Sequence, residues 1–430
     1  MSSTMTSFEP SAMAQRASTQ AIGFLMQQGL ENADCLSLAA GFVDPATLPV
    51  DLAQKAISEI ANQTAQGQIS LQYGAPSGSD QLRAVFRDHL TQLEGPGSKM
   101  QELPLSRMML TTGSQQFLTL VSQAILNPGD ICLVAAPTYF AYLGVLDGVG
   151  AEVLPIAADN NGMDPAALNS TLEQLAAENR LHKVKLVYVV SYHDNPSGVS
   201  VSEERRPQLL DCVKRWSKES HIFLLEDAAY REMNYSGETL PSIWSFEEAS
   251  HNEHVILTQT FSKSFSPGLR VGIGVLPPQL VNSVTDIKSN EDFGSAHFNQ
   301  NVVAHVLKSG DYQRHVKSLH TAYRIKRDAM LAAADEFFSD IPEVTWLKPE
   351  GGLYVWMSLP SSISTSFKSP LFRQATEVNK VMYVPGRLFY PSTWEQRPDN
   401  QMRLSYGVLN AEQIHDGMKR LAEAVKAVIS

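Results

Sequence analysis

FSKSFSPGLRVGIGVLP, residues 261–277, sets a lone lysine among serines, an arginine seven positions later, and then an apolar run broken by glycine. A lysine in a serine-rich loop is ordinarily solvated, and an arginine beside it is ordinarily a surface residue. Here both stand where the chain is about to enter a core strand. The β-rich runs HVILTQT (254–260) and VGIGVLP (271–277) flank them; most such runs in this chain are continuously apolar, as strands covered on both faces are. Further out, ICLVAAP (131–137), AEVLPI (151–156), KLVYVVS (185–191) and HIFLLED (221–227) repeat the pattern, with helical stretches such as 208–218 between several of them. Strands alternating with helices predict an α/β fold with a mostly parallel sheet flanked by helices. Ligands of such sheets bind at the carboxyl ends of the strands. Asn195 follows one run, Asp227 ends another and Lys263 follows a third, so three polar groups are expected in one crevice.

Upstream, SGSD precedes Leu82, Val85, Phe86 and Leu90 at helical spacing, with Ser79 or Asp80 as the cap. TTGSQQFLTLVSQAILNPGD reads as a turn, a helix with Phe117, Leu118, Val121, Ala124 and Ile125 along its apolar stripe, and a stop at Asn127-Pro128-Gly129. From about residue 310 the pattern changes. A long helix through Phe338 leads to strand-like VTWLKPEGGLYVWMSLP, VMYVPGRLFY and MRLSYG, and a last helix covers 411–428. This predicts a smaller α+β domain, giving an N-terminal segment 1–45 packed with it, a large domain 46–309 and a small domain 310–430.

The 430 residues exceed one small core. A formal charge of −11 without a Lys/Arg run argues against a general nucleic-acid binder. Cys35, Cys132 and Cys212 have neither disulfide-framework nor zinc spacing, so no metal is expected and a reducing cytoplasm is. Residues 1–20 lack a signal-peptide pattern, and no run reaches the roughly 18 apolar residues of a membrane span.

The chemistry-bearing residues are individually weak signals. Lys263 desolvated would have a lowered pKa and could form a Schiff base. Arg270 could hold a phosphate as a bidentate fork. Asp227 ordinarily caps a turn; buried in a crevice it needs a cationic partner, such as a protonated pyridine, and Tyr230 could point its hydroxyl at the same ligand. Asn195-Pro196-Ser197-Gly198 is ordinarily a turn. Gly113-Ser114-Gln115 is ordinarily a helix cap, yet an open helix N-terminus also binds phosphate.

In their order, these motifs resemble the fold-type I pyridoxal-phosphate enzymes, class I/II aminotransferase family. YGAPSGSDQLR (73–83), TTGSQQFLTL (111–120), PGD (128–130), PTYF (137–140), DNPSG (194–198), EDAAY (226–230), FSKSFSPGLRVG (261–272), KPEGGLYVW (348–356), VPGRLF (384–389) and MRLSYG (402–407) carry the resemblance, from about Leu36 to Ala424. It implies a large domain with a seven-stranded, mostly parallel sheet, pyridoxal 5′-phosphate as cofactor, and a homodimer with shared sites. It casts Lys263 as the cofactor's lysine, Asp227 as partner of its ring nitrogen, and Asn195 and Tyr230 as partners of its phenolic oxygen. Tyr139 resembles the aromatic on the ring face. Ser114, Gln115, Thr260, Ser262 and Arg270 resemble the phosphate cup, with Tyr73 reaching it from a neighbouring subunit. Arg403 resembles the clamp for the substrate α-carboxylate, and Gly41 lies in a loop that approaches the substrate.

The implied activity is transfer of an amino group from an L-amino acid to a 2-oxo acid such as 2-oxoglutarate, by ping-pong alternation. The closest-looking branch, the kynurenine/aminoadipate and aromatic aminotransferases, implies such donors. Gly23 stands where that branch often has an arginine, AAGFVDPATLP replaces its usual glycine-rich loop, and DNPSG follows Tyr192-His193; these departures bear on side-chain preference. A lyase or decarboxylase on the same scaffold is the alternative, separated by whether product requires an acceptor. A regulator carrying this fold behind a DNA-binding domain is not expected, since aminotransferase-like sequence begins near residue 36. Met108, Met109, Phe372 and Tyr390 read as core, His193 as a loop residue, and Ser295 as a possible contact to a partner's phosphate site.

Overall fold

The computed structural model describes residues 8–17, 21–237, 239–247 and 253–429. In chain order its strands are β1 (Leu36–Ser37), β2 (Met108–Thr112), β3 (Ile131–Ala136), β4 (Glu152–Asp159), β5 (Gly162–Met163), β6 (Val184–Val190), β7 (Phe223–Asp227), β8 (Val255–Thr260) and β9 (Val271–Val275), then β10 (Thr345–Trp346), β11 (Tyr354–Ser358), β12 (Val381–Met382), β13 (Val384–Pro385) and β14 (Gln401–Ser405). The large sheet has the order β2-β9-β8-β7-β6-β3-β4-β5. Its centre, β8-β7-β6-β3-β4, is parallel, and β9 runs antiparallel to both neighbours. Seven strands make the sheet the sequence implies, and the two-residue β5 extends one edge antiparallel.

Side chains alternate across this sheet as a doubly covered layer requires. Ile131, Leu133, Val187, Val189, Leu224, Val255 and Leu257 join one core with helices Asp80–Glu94, Pro165–Ala177, Arg205–Trp216 and His297–Lys308. Cys132, Val134, Leu186, Tyr188, Phe223, Leu225 and Ile256 join the other, with helices Gly113–Ile125 and Phe140–Val149. Ser79 caps Asp80–Glu94 by accepting from Leu82 N.

β2 has no counterpart in the sequence expectation. Its MMLTT is short and ends in threonines, and only pairing with β9 reveals it as a sheet edge. The glycines of β9 explain that pairing. A Cβ on Gly274 would overlap the Phe117 ring, and one on Gly272 would lie 2.4 Å from Gly113 C. Helix Gly113–Ile125 can rest on β9 only because both positions are bare.

The second sheet, β10-β11-β14-β13, is antiparallel. With helices Asp311–Phe338 and Ala411–Ile429 it encloses a third core. Two long runs that read as single strands are broken here. Residues 347–353 loop between β10 and β11, and VMYVPGRLFY yields β12, β13 and a 3-10 turn Gly386–Phe389. Leu38 and Ala39 enter this third core, β1 pairs parallel with β12, and Tyr230, Met233 and Tyr235 join from the large sheet's side. Met108, Met109, Phe372 and Tyr390 are buried, as expected. Among the described residues no helix is long and apolar enough to cross a membrane.

Candidate active site

A cleft of about 600 Å³ opens at the carboxyl ends of the parallel strands. It is lined by Ser114, Gln115, Tyr139, Asn195, Asp227, Tyr230, Thr260, Ser262, Lys263, Arg270, Arg403 and Gly41. These are all the residues that the sequence casts as ligands of cofactor or substrate save Tyr73, which lies outside the cleft and is 83% exposed. Topology explains the convergence. β7 ends at Asp227, β6 leads to Asn195, β3 to Tyr139, and β8 to the single helical turn Phe261–Ser264 carrying Lys263. Because β9 runs the other way, the residue before it, Arg270, reaches the same edge.

Lys263 Nζ donates to Gly41 O at 3.1 Å. Burial pulls its pKa down; Arg403 and Arg270 add to this, against an opposing pull from Tyr354. Asp227 Oδ2 accepts from Tyr188 OH at 2.9 Å and Oδ1 from Ala229 N at 3.0 Å. Burial pushes its carboxyl up to about 6 despite those bonds. Among the described residues no ion pair reaches it. Arg403 donates to Asn195 Oδ1 at 2.9 Å and Ala39 O at 2.8 Å, lies 4.2 Å from the Tyr354 ring centroid, and keeps Nε buried without a partner among the described residues.

At the other end, Arg270 donates to Ser262 Oγ at 3.3 Å, and Thr260 Oγ1 lies 3.0 Å from Ser262 Oγ. Gly113, at φ +72°, starts a 13-residue helix whose Thr112 N-cap makes no side-chain cap bond. A Cβ on Gly113 would sit 2.5 Å from Arg270 Nη2. The open helix end, two hydroxyls and a guanidinium therefore meet around one space, an arrangement suited to a phosphate.

The donor set fits pyridoxal phosphate: an anion cradle at one end, a desolvated amine in the middle, and a buried carboxylate that lacks its cation. Tyr139 at the cleft wall adds a ring, its phenol raised by burial.

Sequence reasoning missed Tyr354. Its motif was visible, but nothing along the chain says that its hydroxyl lies 3.2 Å from Tyr230 OH and would lie 3.1 Å from a Cβ on Gly41. Burial alone would raise its phenol, yet Arg403 and Lys263 outweigh it and leave the group below its ordinary value. Tyr230 is raised by burial and by Tyr354. Leu30, Phe42, Phe140 and Met382, also unpredicted, supply apolar lining. Ser295 is committed within its own chain, to Lys288 Nζ at 2.9 Å and Thr112 Oγ1 at 3.2 Å. His193, at φ +44°, is buried and pushed down to about 3 by burial, then by Arg206, His320 and Arg327.

The sequence profile of aminotransferase class I and II matches residues 33–421. Aromatic-amino-acid aminotransferase 1 of Thermococcus litoralis is 34% identical over 399 residues, 92% of this chain and 89% of its own. The crystal structure of the multiple substrate aminotransferase from Thermococcus profundus superposes with a TM-score of 0.87 at 32% identity, covering 98% of each chain. The α-aminoadipate aminotransferase of Thermus thermophilus, solved with N-(5′-phosphopyridoxyl)-L-leucine, has a TM-score of 0.83 at 30% identity over 97% of each chain. The chain belongs to the class I and II aminotransferases, and is a pyridoxal-phosphate enzyme that moves amino groups between amino acids and 2-oxo acids.

Proposed function

We propose that this aminotransferase takes the amino group of an L-amino acid with an aromatic or aminoadipate-like side chain and delivers it to a 2-oxo acid such as 2-oxoglutarate, in two alternating half-reactions. The observation that carries the reading is one cleft shared by Lys263, Asp227 and Arg403, with an anion cradle at its far end.

Pyridoxal phosphate, when bound, supplies a carbonyl that captures amines and a protonated ring that draws electrons from the substrate Cα. Ser114, Gln115, Thr260, Ser262 and Arg270 would hold its phosphate, Tyr139 its ring face, Asp227 its ring nitrogen, and Asn195 and Tyr230 its phenolic oxygen. Arg403 orients the substrate by taking the α-carboxylate as a bidentate pair, which sets the Cα–H bond to be broken. Lys263 Nζ, made less basic by burial, takes the proton from Cα. Gly41 leaves room for the substrate beside Tyr354. Leu30, Phe42, Phe140 and Met382 favour an apolar or aromatic side chain.

The protein is a homodimer with shared sites, a reading supported by the exposure of Tyr73 outside its own cleft beside Phe293, 5.9 Å ring to ring. We divide the chain into a cofactor-binding unit, 46–309, and a smaller one, 310–430; Leu38 in the third core supports packing of that part of the N-terminal segment with the smaller unit. Helix Ala12–Ala17 departs from the expectation and lies on the large unit, Arg16 donating to Asp147 O at 3.1 Å and Gly148 O at 2.9 Å. A cytoplasmic location agrees with three free thiols, two of them buried.

Initial rates with phenylalanine, tyrosine, kynurenine, 2-aminoadipate and alanine against 2-oxoglutarate test the reading. Aromatic or aminoadipate donors should exceed alanine by about tenfold or more. Exclusive use of alanine would refute the preference, and product formed over many turnovers without an acceptor, beyond one equivalent per site, would refute transamination. Lys263→Ala should lower turnover by about 10⁴-fold.

A further inference from the structure

Asp227 is reached by a group outside the cleft. β6 and β7 pair in register, Val190 opposite Asp227 and Tyr188 opposite Leu225. Alternation puts Tyr188, Leu225 and Asp227 on the same face of the sheet, with Tyr188 one step deeper. Its hydroxyl donates to Asp227 Oδ2 at 2.9 Å, while Ala229 N occupies Oδ1. The Tyr188 ring is fully buried and lies 4.1 Å from that of Tyr142, whose own hydroxyl meets Ser122 Oγ at 3.0 Å. A phenol this confined has one direction in which to donate.

We propose that Tyr188 is a positioning residue: its hydroxyl holds the Asp227 carboxylate charged and turned toward the cofactor's ring nitrogen. A hydrogen bond to a charged acceptor favours the charged form. Without it, a buried carboxyl pushed up by burial would more readily take a proton and lose its attraction for a pyridinium. The other titratable groups near Asp227 do not replace this donor. Glu226 alternates to the opposite face and is held by Arg206, Ser191 and the amides of Ile243 and Trp244. Tyr142 is spent on Ser122, Asp194 is itself a carboxylate bonded to Ser197, and Tyr139 acts on Asp227 only at longer range.

The inference rests on Asp227 as the ring-nitrogen partner, so the experiment separates the two. Asp227→Asn alone must weaken binding of pyridoxal phosphate to the apoenzyme; if it does not, the functional reading fails first. Tyr188→Phe keeps the ring and removes the hydroxyl. Fluorescence titration of the apoenzyme should then show about a tenfold loss of cofactor affinity. The pH below which affinity collapses should rise by about one unit. In the Asp227→Asn background the same change should add less than about twofold, since the charged acceptor is gone. Tyr192→Phe deletes a neighbouring hydroxyl that donates to Leu240 O and should leave affinity unchanged. Unchanged affinity and pH midpoint in Tyr188→Phe overturn the proposal, as does an equal loss in Tyr192→Phe. If Tyr188→Phe fails to fold, folding restored by adding Asp227→Asn supports it, and failure of both variants overturns it.

Discussion

Asp227 is held in a place that opposes its charge. Burial lifts it from the ordinary 3.8 to about 6, against the bonds from Tyr188 and Ala229. Between those values the folded chain binds more protons than the unfolded one, so stability from this group declines as pH rises from about 4 to about 6. The gap of about two units is on the order of 3 kcal/mol, present in full above about pH 6. Asp227→Asn apoprotein should therefore melt higher than wild-type apoprotein at pH 7, with the difference vanishing near pH 4, while its cofactor affinity falls. Equal melting temperatures at pH 7 would refute this. The residue itself was legible in the sequence because a lone carboxylate ending an apolar strand is conspicuous. Tyr188, inside the apolar run KLVYVVS, looks like core, and it is core; only the register with β7 gives its hydroxyl a partner.

Between a strand and a helix, the decisive feature is missing side chains. The backbone of β9 at Gly272 lies so close to the start of helix Gly113–Ile125 that a Cβ would come within 2.5 Å of Ser114 N. Gly272→Ala must push that helix end away from Arg270 and Ser262. A loss of about 1–3 kcal/mol in folding stability is expected from such overpacking. Cofactor affinity should fall by more than tenfold, about 1.4 kcal/mol or more, because the helix end is part of the phosphate cradle. Parallel melting and titration experiments check both; retained affinity in a destabilised variant would contradict the cradle. The VGIG pattern announces a strand with close neighbours, but the neighbour's identity depends on β2 and its helix folding back from far upstream, as the pairing Thr111–Gly272 records.

Across the whole molecule, the site draws on three regions of chain. Arg403 and Asn195 are 208 positions apart, and Lys263 and Gly41 are 222 apart, yet each pair is hydrogen-bonded. Tyr73 is the predicted site residue left outside its own cleft. As a member of a twofold dimer it should serve the neighbour's cofactor. Sedimentation should give twice 47.3 kDa. Tyr73→Ala should weaken cofactor binding about tenfold, the loss of one hydrogen bond to a charged group. A heterodimer of Tyr73→Ala with Lys263→Ala should regain one intact site of its two, and no recovery on mixing would refute shared sites.

By itself the sequence determined what is carried locally: which runs are covered on both faces, which polar residues end them, and the order of motifs that marks the family. Hydrophobic continuity and strand-end polarity are properties of neighbours along the chain, so they survive without coordinates. The tertiary structure alone decided which hydroxyl reaches which carboxylate, that Tyr354 joins the cleft, that β2 is a sheet edge, and that two long apolar runs break into short strands. Those outcomes depend on register and on close approach between distant segments, and a one-residue shift would turn each side chain to the opposite face.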